Sequence, residues 1–267
     1  MGRGVELGRR EAHSHDCPRI NGLCSACLID SGLKRINCLS VLNQKIASVL
    51  GAVKWPLAIV CAAYFPAAAL TLGEELLGIV RGMHFLLPFL AGAALYLALW
   101  LLVLRRTEVD FLSTLEHELT HCIFAWLTFN RVVGLKATLR SGGATRYQGT
   151  PNWLIQTGPY FFPTVTIVLL IVMNFIGQQH LVLMYGLLGA SIVYHVISTW
   201  AEAHHRQTDL KEAGLIFSLL FLPTANLFFY GLIIAFLRFG VGGFSQLLQS
   251  LAHSPASPMR LIGGIAA

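Results

Sequence analysis

The sequence predicts an all-α polytopic membrane protein with about six transmembrane helices and one small β-hairpin. Of its 267 residues, 55% are hydrophobic and only 12% are charged, and the mean hydropathy is +0.64. Soluble domains carry about 25% charged residues. Several apolar stretches also approach the ~20 residues that a helix needs to cross a bilayer. A soluble globular protein is therefore not expected.

Six apolar stretches are candidate membrane spans, and a polar segment precedes them. In chain order they are residues 55–72, 84–104, 111–129, 153–176, 181–200 and 213–237. Pro56 and Pro66 interrupt the first stretch, and residues 42–50 can extend it on its N-terminal side. Residues 1–40 contain no uninterrupted apolar core, so we expect no cleavable signal peptide.

The positive charge of the chain indicates membrane orientation rather than nucleic-acid binding. The net charge is +6, and eight of the 19 Lys and Arg residues precede Trp55. No basic stripe alternates with aromatic residues, as nucleic-acid binding would require. With a cytoplasmic N-terminus, the predicted inner segments hold 12 basic residues and the outer ones 7. The positive-inside rule therefore predicts a multi-pass protein of the cell membrane with its N-terminus in the cytoplasm.

The N-terminal segment contains a group of cysteines with two interpretations. Cys17, Cys24, Cys27 and Cys38 include one CxxC pair. Four thiolates can close a tetrahedral zinc site in a reducing compartment. The second CxxC of a zinc ribbon is missing, so a flexible tail of free thiols is the alternative.

A HExxH motif lies within the third apolar stretch, at residues 117–121. On a helix, His117 and His121 are one turn apart and project from the same face, so both imidazoles can reach one metal ion. Glu118 lies beside them and can act as a general base towards water, as this motif does in metalloproteases. Glu116 points elsewhere and is not expected to take part. The motif predicts a Zn²⁺ site with hydrolytic chemistry.

Residues 131–147 follow the motif and predict a β-hairpin. Apolar residues alternate with polar ones over the first part, and Ser141-Gly142-Gly143 provides the turn. Beside an active site, its edge can pair with an extended substrate by strand addition. Alternatively, it is an interfacial loop whose basic residues meet lipid headgroups.

A catalytic zinc ion usually takes three protein ligands, and the motif supplies two. The downstream candidates are polar or ionisable: Asn174, His180, His195, Glu202, His204, His205 and Asp209. If residues 181–200 form a span, Asp209 lies about 14 Å beyond its end when counted at 1.5 Å per residue. His195 fits the depth of the motif better. Either the chain around Asp209 folds back into the protein and Asp209 is the third ligand, or His195 is the third ligand. In the second case Asp209 would orient a metal ligand through a hydrogen bond without binding the metal itself.

Several of these features resemble the site-2 protease group, the M50 family of intramembrane metallopeptidases. The resemblance covers residues 107–237 and includes His117-Glu118-Leu-Thr-His121, Gly142-Gly143, Gly158-Pro159 and Gln207-Thr208-Asp209. It implies that His117, His121 and Asp209 bind zinc and that Glu118 is the general base. Leu210 follows Asp209 where the family has Gly, and the family's Asn-x-x-Pro-x4-Asp-Gly signature is absent. His195 therefore remains the alternative third ligand, followed by His204 and His205.

The sequence thus predicts a zinc-dependent endopeptidase that cleaves a membrane protein or peptide within or near the lipid bilayer. Its expected parts are a polar segment, 1–40; two leading helices, 41–106; a metallopeptidase core with four helices, 107–237; and a C-terminal tail, 238–267. A non-enzymatic zinc-binding membrane protein and a metal transporter are the alternatives. Glu118 favours the enzyme, because a structural site or an ion path needs ligands but no base.

Overall fold

The computed structural model describes residues 19–20, 23–80, 86–106, 111–138, 142–203 and 207–260, with the main chain alone for residues 19–20, 23–38, 79, 80 and 106. The chain divides into two compact units, residues 1–42 and residues 43–267. In the first unit, strands β1 (Arg19–Ile20) and β2 (Leu23–Cys24) pair antiparallel, and helix α1 begins at Ser25. The side chains of all four N-terminal cysteines lie outside the described residues, so their metal site stays a prediction.

Two long apolar helices precede the HExxH motif. Helix α1 (Ser25–Val80) is apolar enough to span a membrane from Leu39 to Gly78. Pro56 and Pro66 lie inside it without ending it, a placement that membrane helices tolerate when neighbours satisfy the freed backbone groups. Helix α2 (Leu86–Leu102) is followed by a 3-10 turn, Leu104–Arg106. The first span therefore begins earlier than residue 55, as residues 42–50 allowed.

Helix α3 (Phe111–Leu127) carries the motif and leads into the predicted hairpin. Strand β3 (Arg131–Ala137) pairs antiparallel with β4 (Gly143–Gln148), from Arg131 opposite Gln148 to Ala137 opposite Gly143. The register shifts between Val132 and Gly134, which indicates a bulge. The predicted hairpin is confirmed.

The fourth predicted span is bent in the structure. Helix α4 (Trp153–Thr157) starts at Asn152, whose side chain accepts a hydrogen bond from the Ile155 main-chain nitrogen. A 3-10 turn (Gly158–Tyr160) follows, and α5 (Thr164–Met173) continues at 74° to the first piece. Pro163 directly precedes α5, and a proline cannot donate the hydrogen bond that a continuous helix needs there. The bend turns α4 towards the HExxH helix.

The remaining helices complete the second unit. After a 3-10 turn (Gln178–His180) come α6 (Leu181–Glu202), the short α7 (Thr208–Ala213) and α8 (Leu215–Phe239). A last 3-10 turn (Gly240–Gly242) leads into α9 (Gly243–His253). Gly243 lies against the main chain of Ala235, and Leu247 lies against Gly231, so α9 runs back antiparallel along α8.

Glycines let α2 and α6 approach each other closely. A Cβ atom on Gly189 would overlap the main-chain carbonyl of Phe89, and one on Gly92 would overlap the main chain of Gly186. Small residues at such contacts are typical of membrane helices, where packing rather than hydrophobic exclusion drives association. This contact positions α6, whose last residues border the HExxH motif.

Length and composition support three membrane spans among the described residues, and four when the bent pair α4–α5 counts as one. The three are Leu39–Gly78, Gln178–Glu202 and the helical stretch Leu215–His253. Helix α2 is apolar but has 17 residues, and α3 also has 17 and carries several ionisable side chains. The protein is a mostly helical membrane protein, and the count of six spans stays a prediction.

Candidate metal centre

The HExxH motif lies on α3 at the wall of a cavity of about 570 Å³. His117 and His121 are one turn apart, and their ring centroids are 4.8 Å from each other. The side chain of Glu118 also lines the cavity, although Glu118 is only 8% exposed. Helix α3, strand β4, helix α4, the end of α6 at Glu202 and residues between Gln207 and Glu212 all contribute to the lining. The cavity is therefore assembled from parts of the chain that are distant in sequence.

Each histidine is held through its Nδ1 atom. His121 Nδ1 lies 2.8 Å from the Ile155 carbonyl oxygen, and His117 Nδ1 lies 2.6 Å from Glu202 Oε2. A carbonyl or carboxylate oxygen only accepts hydrogen bonds, so each Nδ1 carries the proton and donates it. Both rings consequently offer Nε2 as the atom available to a metal.

Asp209 meets both of these Nε2 atoms. Its Oδ2 lies 3.4 Å from His117 Nε2 and 3.4 Å from His121 Nε2. Asp209 is the second residue of α7, and its contacts with His117 and His121 place the start of α7 against α3. Straight helical continuation of residues 181–200 would instead place Asp209 about 14 Å beyond the end of that stretch.

Two of the distances between the three donor atoms match those expected around a zinc ion. Zinc–nitrogen distances of about 2.0–2.1 Å in tetrahedral geometry place neighbouring donor atoms about 3.4 Å apart. Both distances from Asp209 Oδ2 to the imidazole nitrogens have this value, and the donor atoms of all three residues lie within 4.8 Å of one another. Two imidazoles and one carboxylate are also a donor set that catalytic zinc sites use.

The hairpin covers Glu118. Thr145 Oγ1 lies 2.7 Å from Glu118 Oε2, and a Cβ atom on Gly143 would lie only 2.6 Å from Glu118 Oε1. Strand β4 thus packs directly on this carboxylate, and the absence of a side chain at Gly143 makes the contact possible. The hairpin is part of the site rather than a distant loop.

The family model described as Peptidase M50B-like matches residues 89–238, more than half of the chain. The chain belongs to the M50 peptidase family. The matched range contains α3, the hairpin and α7, and so includes all three donor residues and Glu118. At family level this is a membrane metallopeptidase of the site-2 protease group. No curated protein and no solved structure matched the chain.

The other ligand candidates of this M50 peptidase have different surroundings. His195 is buried on α6, where its Nδ1 lies 2.8 Å from the Tyr230 hydroxyl oxygen, and it does not line the cavity. Glu116 faces away from the cavity and accepts a hydrogen bond from the Val165 main-chain nitrogen over 3.0 Å. His204 and His205 lie outside the described residues. Among the described His, Cys, Asp and Glu residues, the group whose spacing could hold a metal ion is His117, His121 and Asp209.

Sequence reasoning missed the partners that hold the M50 motif residues in place. Glu202 was weighed only as a metal ligand, whereas it contacts His117 on the ring nitrogen opposite Asp209. The sequence pattern predicts a hairpin at residues 131–147 but does not assign Thr145 or Gly143 a contact with Glu118. Tyr160, fully buried beside His117, places its hydroxyl 3.4 Å from Asp209 Oδ2. A charged residue at the end of an apolar helix, as at Glu202, was the one signal available, since such residues are costly and usually functional.

Proposed function

We propose that this M50 peptidase is a zinc-dependent endopeptidase that hydrolyses peptide bonds within or near the bilayer. The observation that carries the proposal is the convergence of His117 Nε2, His121 Nε2 and Asp209 Oδ2 beside Glu118. These are the three residues that would hold the metal. The Zn²⁺ ion, when bound, would polarise the scissile carbonyl and lower the pKa of water towards ~7.

Glu118 is the proposed general base. Its carboxylate accepts a proton from the attacking water and then transfers this proton to the leaving amine. The Thr145 hydroxyl keeps the carboxylate in one position by a hydrogen bond to Oε2. This role for Glu118 favours the peptidase over a structural zinc protein or a metal transporter, because neither alternative needs a base.

The cavity supports hydrolysis in an otherwise apolar protein. Its lining includes carboxylates and hydroxyls of Glu118, Thr145, Glu202 and Asp209. Such groups hold water where the surrounding lipid would exclude it. We propose that a membrane protein or peptide enters here in extended form, alongside β4, whose Gly143, Ala144 and Thr145 border the same cavity. We also propose a cytoplasmic N-terminus, from the distribution of basic residues.

Metal content and cleavage together test the proposal. The purified wild-type protein is expected to hold one zinc equivalent more than a His117→Ala variant, measured by elemental analysis in detergent. The wild type, reconstituted in vesicles, should cleave a transmembrane reporter substrate, and the variant should not. Equal zinc content in the two proteins would refute the metal site. A zinc-loaded wild type that cleaves no member of a panel of transmembrane substrates would refute the enzyme and favour the structural alternative.

A further inference from the structure

Glu202 contacts the ring nitrogen of His117 that does not face the proposed metal position. It is the last residue of α6, 85 residues from His117, and its Oε2 lies 2.6 Å from His117 Nδ1. Its other carboxylate oxygen accepts a hydrogen bond from the Ser113 hydroxyl. Ser113 precedes His117 by one helical turn on α3, so both residues project from one face of that helix. The Glu202 carboxylate is therefore held at both of its oxygens.

We propose that Glu202, fixed by Ser113, is a positioning residue that holds His117 in the orientation and tautomer required for metal binding. This inference rests on the metal site proposed above. The carboxylate accepts a hydrogen bond from Nδ1–H, so the proton of the ring stays on Nδ1. The lone pair of Nε2 is then directed at the proposed metal position between His117, His121 and Asp209. A negative partner behind the ring also makes Nε2 a stronger electron donor.

The geometry distinguishes this role from direct ligation. Glu202 is not a member of the group of donor atoms that lie within 4.8 Å of one another among the described residues. It binds Nδ1, whereas Asp209 meets Nε2 on the other side of the same ring. The His117 ring therefore lies between Glu202 and the proposed metal position.

The contact is also not needed to hold α6 in place. Helix α6 already packs against α2 through Gly186 and Gly189, where main chains touch directly. A second anchor joins α6 to α5, because the Ser191 and Thr166 hydroxyls lie 2.9 Å apart. Loss of one carboxylate at the end of α6 should leave these contacts intact. The expected defect is consequently in metal affinity and not in folding.

Zinc affinity of the full-length protein tests the role. Metal-stripped protein in detergent is titrated with zinc against a chromogenic chelator, and His117→Ala supplies the baseline for any other zinc site. Glu202→Ala should weaken zinc binding 10- to 100-fold, the usual cost of losing such a partner. Glu202→Gln should lose less, because its amide oxygen can still accept the Nδ1 proton.

Glu212→Ala is the matched control. Glu212 lines the same cavity, but its carboxylate is paired with Gln156 Nε2 over 3.0 Å. This variant should retain wild-type zinc affinity, and all metal-free variants should unfold at the wild-type temperature. Ser113→Ala should show a smaller loss that does not add to that of Glu202→Ala, because both act through one carboxylate.

Four results would overturn the inference. Wild-type zinc affinity in Glu202→Ala would show that the contact is dispensable, and complete loss, as in His117→Ala, would make Glu202 a ligand. Equal weakening in Glu202→Ala and Glu212→Ala would indicate a general effect of cavity charge. Absence of zinc binding at the site in the wild type would instead refute the proposed function together with this inference.

Discussion

Thr145 Oγ1 on strand β4 lies 2.7 Å from Glu118 Oε2 on helix α3. The same hydroxyl is 2.9 Å from the main-chain carbonyl oxygen of Glu118, which is the acceptor in a second orientation of its single proton. The hairpin and the HExxH helix therefore meet at the side chain that we propose as the general base.

Glu118→Gln should abolish cleavage while the protein keeps its zinc. The amide is similar in size to the carboxylate, but it cannot accept the proton of the attacking water. Zinc content and cleavage of a transmembrane reporter are measured on the same reconstituted sample, and the variant should also retain bound substrate. Full proteolytic activity in this variant would show that Glu118 is not the base.

Thr145→Val should lower kcat by roughly 10- to 100-fold without loss of zinc. The substitution keeps the side-chain shape and removes a hydrogen bond to a charged group, which contributes about 1.5–3 kcal/mol. Thr138→Val is the control, because the Thr138 hydroxyl donates within the hairpin to the Gly142 carbonyl oxygen. If both variants lose the same activity, the hairpin matters only for its own stability.

Gly143→Ala should impair cleavage far more than Gly134→Ala. A Cβ atom on Gly143 would lie 2.6 Å from Glu118 Oε1 and 2.8 Å from its Cδ, so the carboxylate or the strand must move. A Cβ atom on Gly134, in the partner strand, would meet only the Arg146 Cβ at 4.0 Å. The cleavage rates of the two folded variants test this expectation. Equal rates would mean that β4 does not constrain Glu118.

Asp209→Ala should lose zinc under mild chelation as readily as His121→Ala. Removal of a coordinating carboxylate leaves an incomplete coordination shell. His195→Ala should keep the metal and show reduced activity, since His195 lies outside the cavity and packs on Tyr230. Zinc retention is measured on folded, membrane-inserted protein. A zinc-replete Asp209→Ala beside a zinc-free His195→Ala would reverse the assignment.

Removal of residues 1–40 should release about one metal equivalent and leave the proposed catalytic one in place. This outcome follows if Cys17, Cys24, Cys27 and Cys38 form a site of their own. Replacement of all four by Ser in the full-length protein should give the same loss and controls for the truncation. Unchanged metal content in both proteins would favour free thiols.

Local sequence patterns were enough to predict several elements of the fold. The apolar helices, the HExxH helix and the hairpin at residues 131–147 follow from composition, period and turn residues, which act over a few positions. The bend between α4 and α5 was only partly visible. Pro163 indicated a loosened helix start, whereas the 74° angle depends on how the two pieces pack.

By itself, the sequence determined that this is an apolar, mostly helical protein in which one helical turn presents His117, Glu118 and His121. Helix geometry alone fixes the relative positions of these three residues, whatever surrounds the helix. Only the tertiary structure decided that Asp209, 92 residues beyond His117, reaches the Nε2 atom of this histidine. It also decided that Glu202 contacts His117 Nδ1 and that Thr145 contacts the Glu118 carboxylate. Such contacts depend on the placement of α7 against α3, on glycine packing between α2 and α6 and on the packing of β4 against Glu118. No local pattern encodes these features, since each arises from surfaces that meet only when the chain is folded.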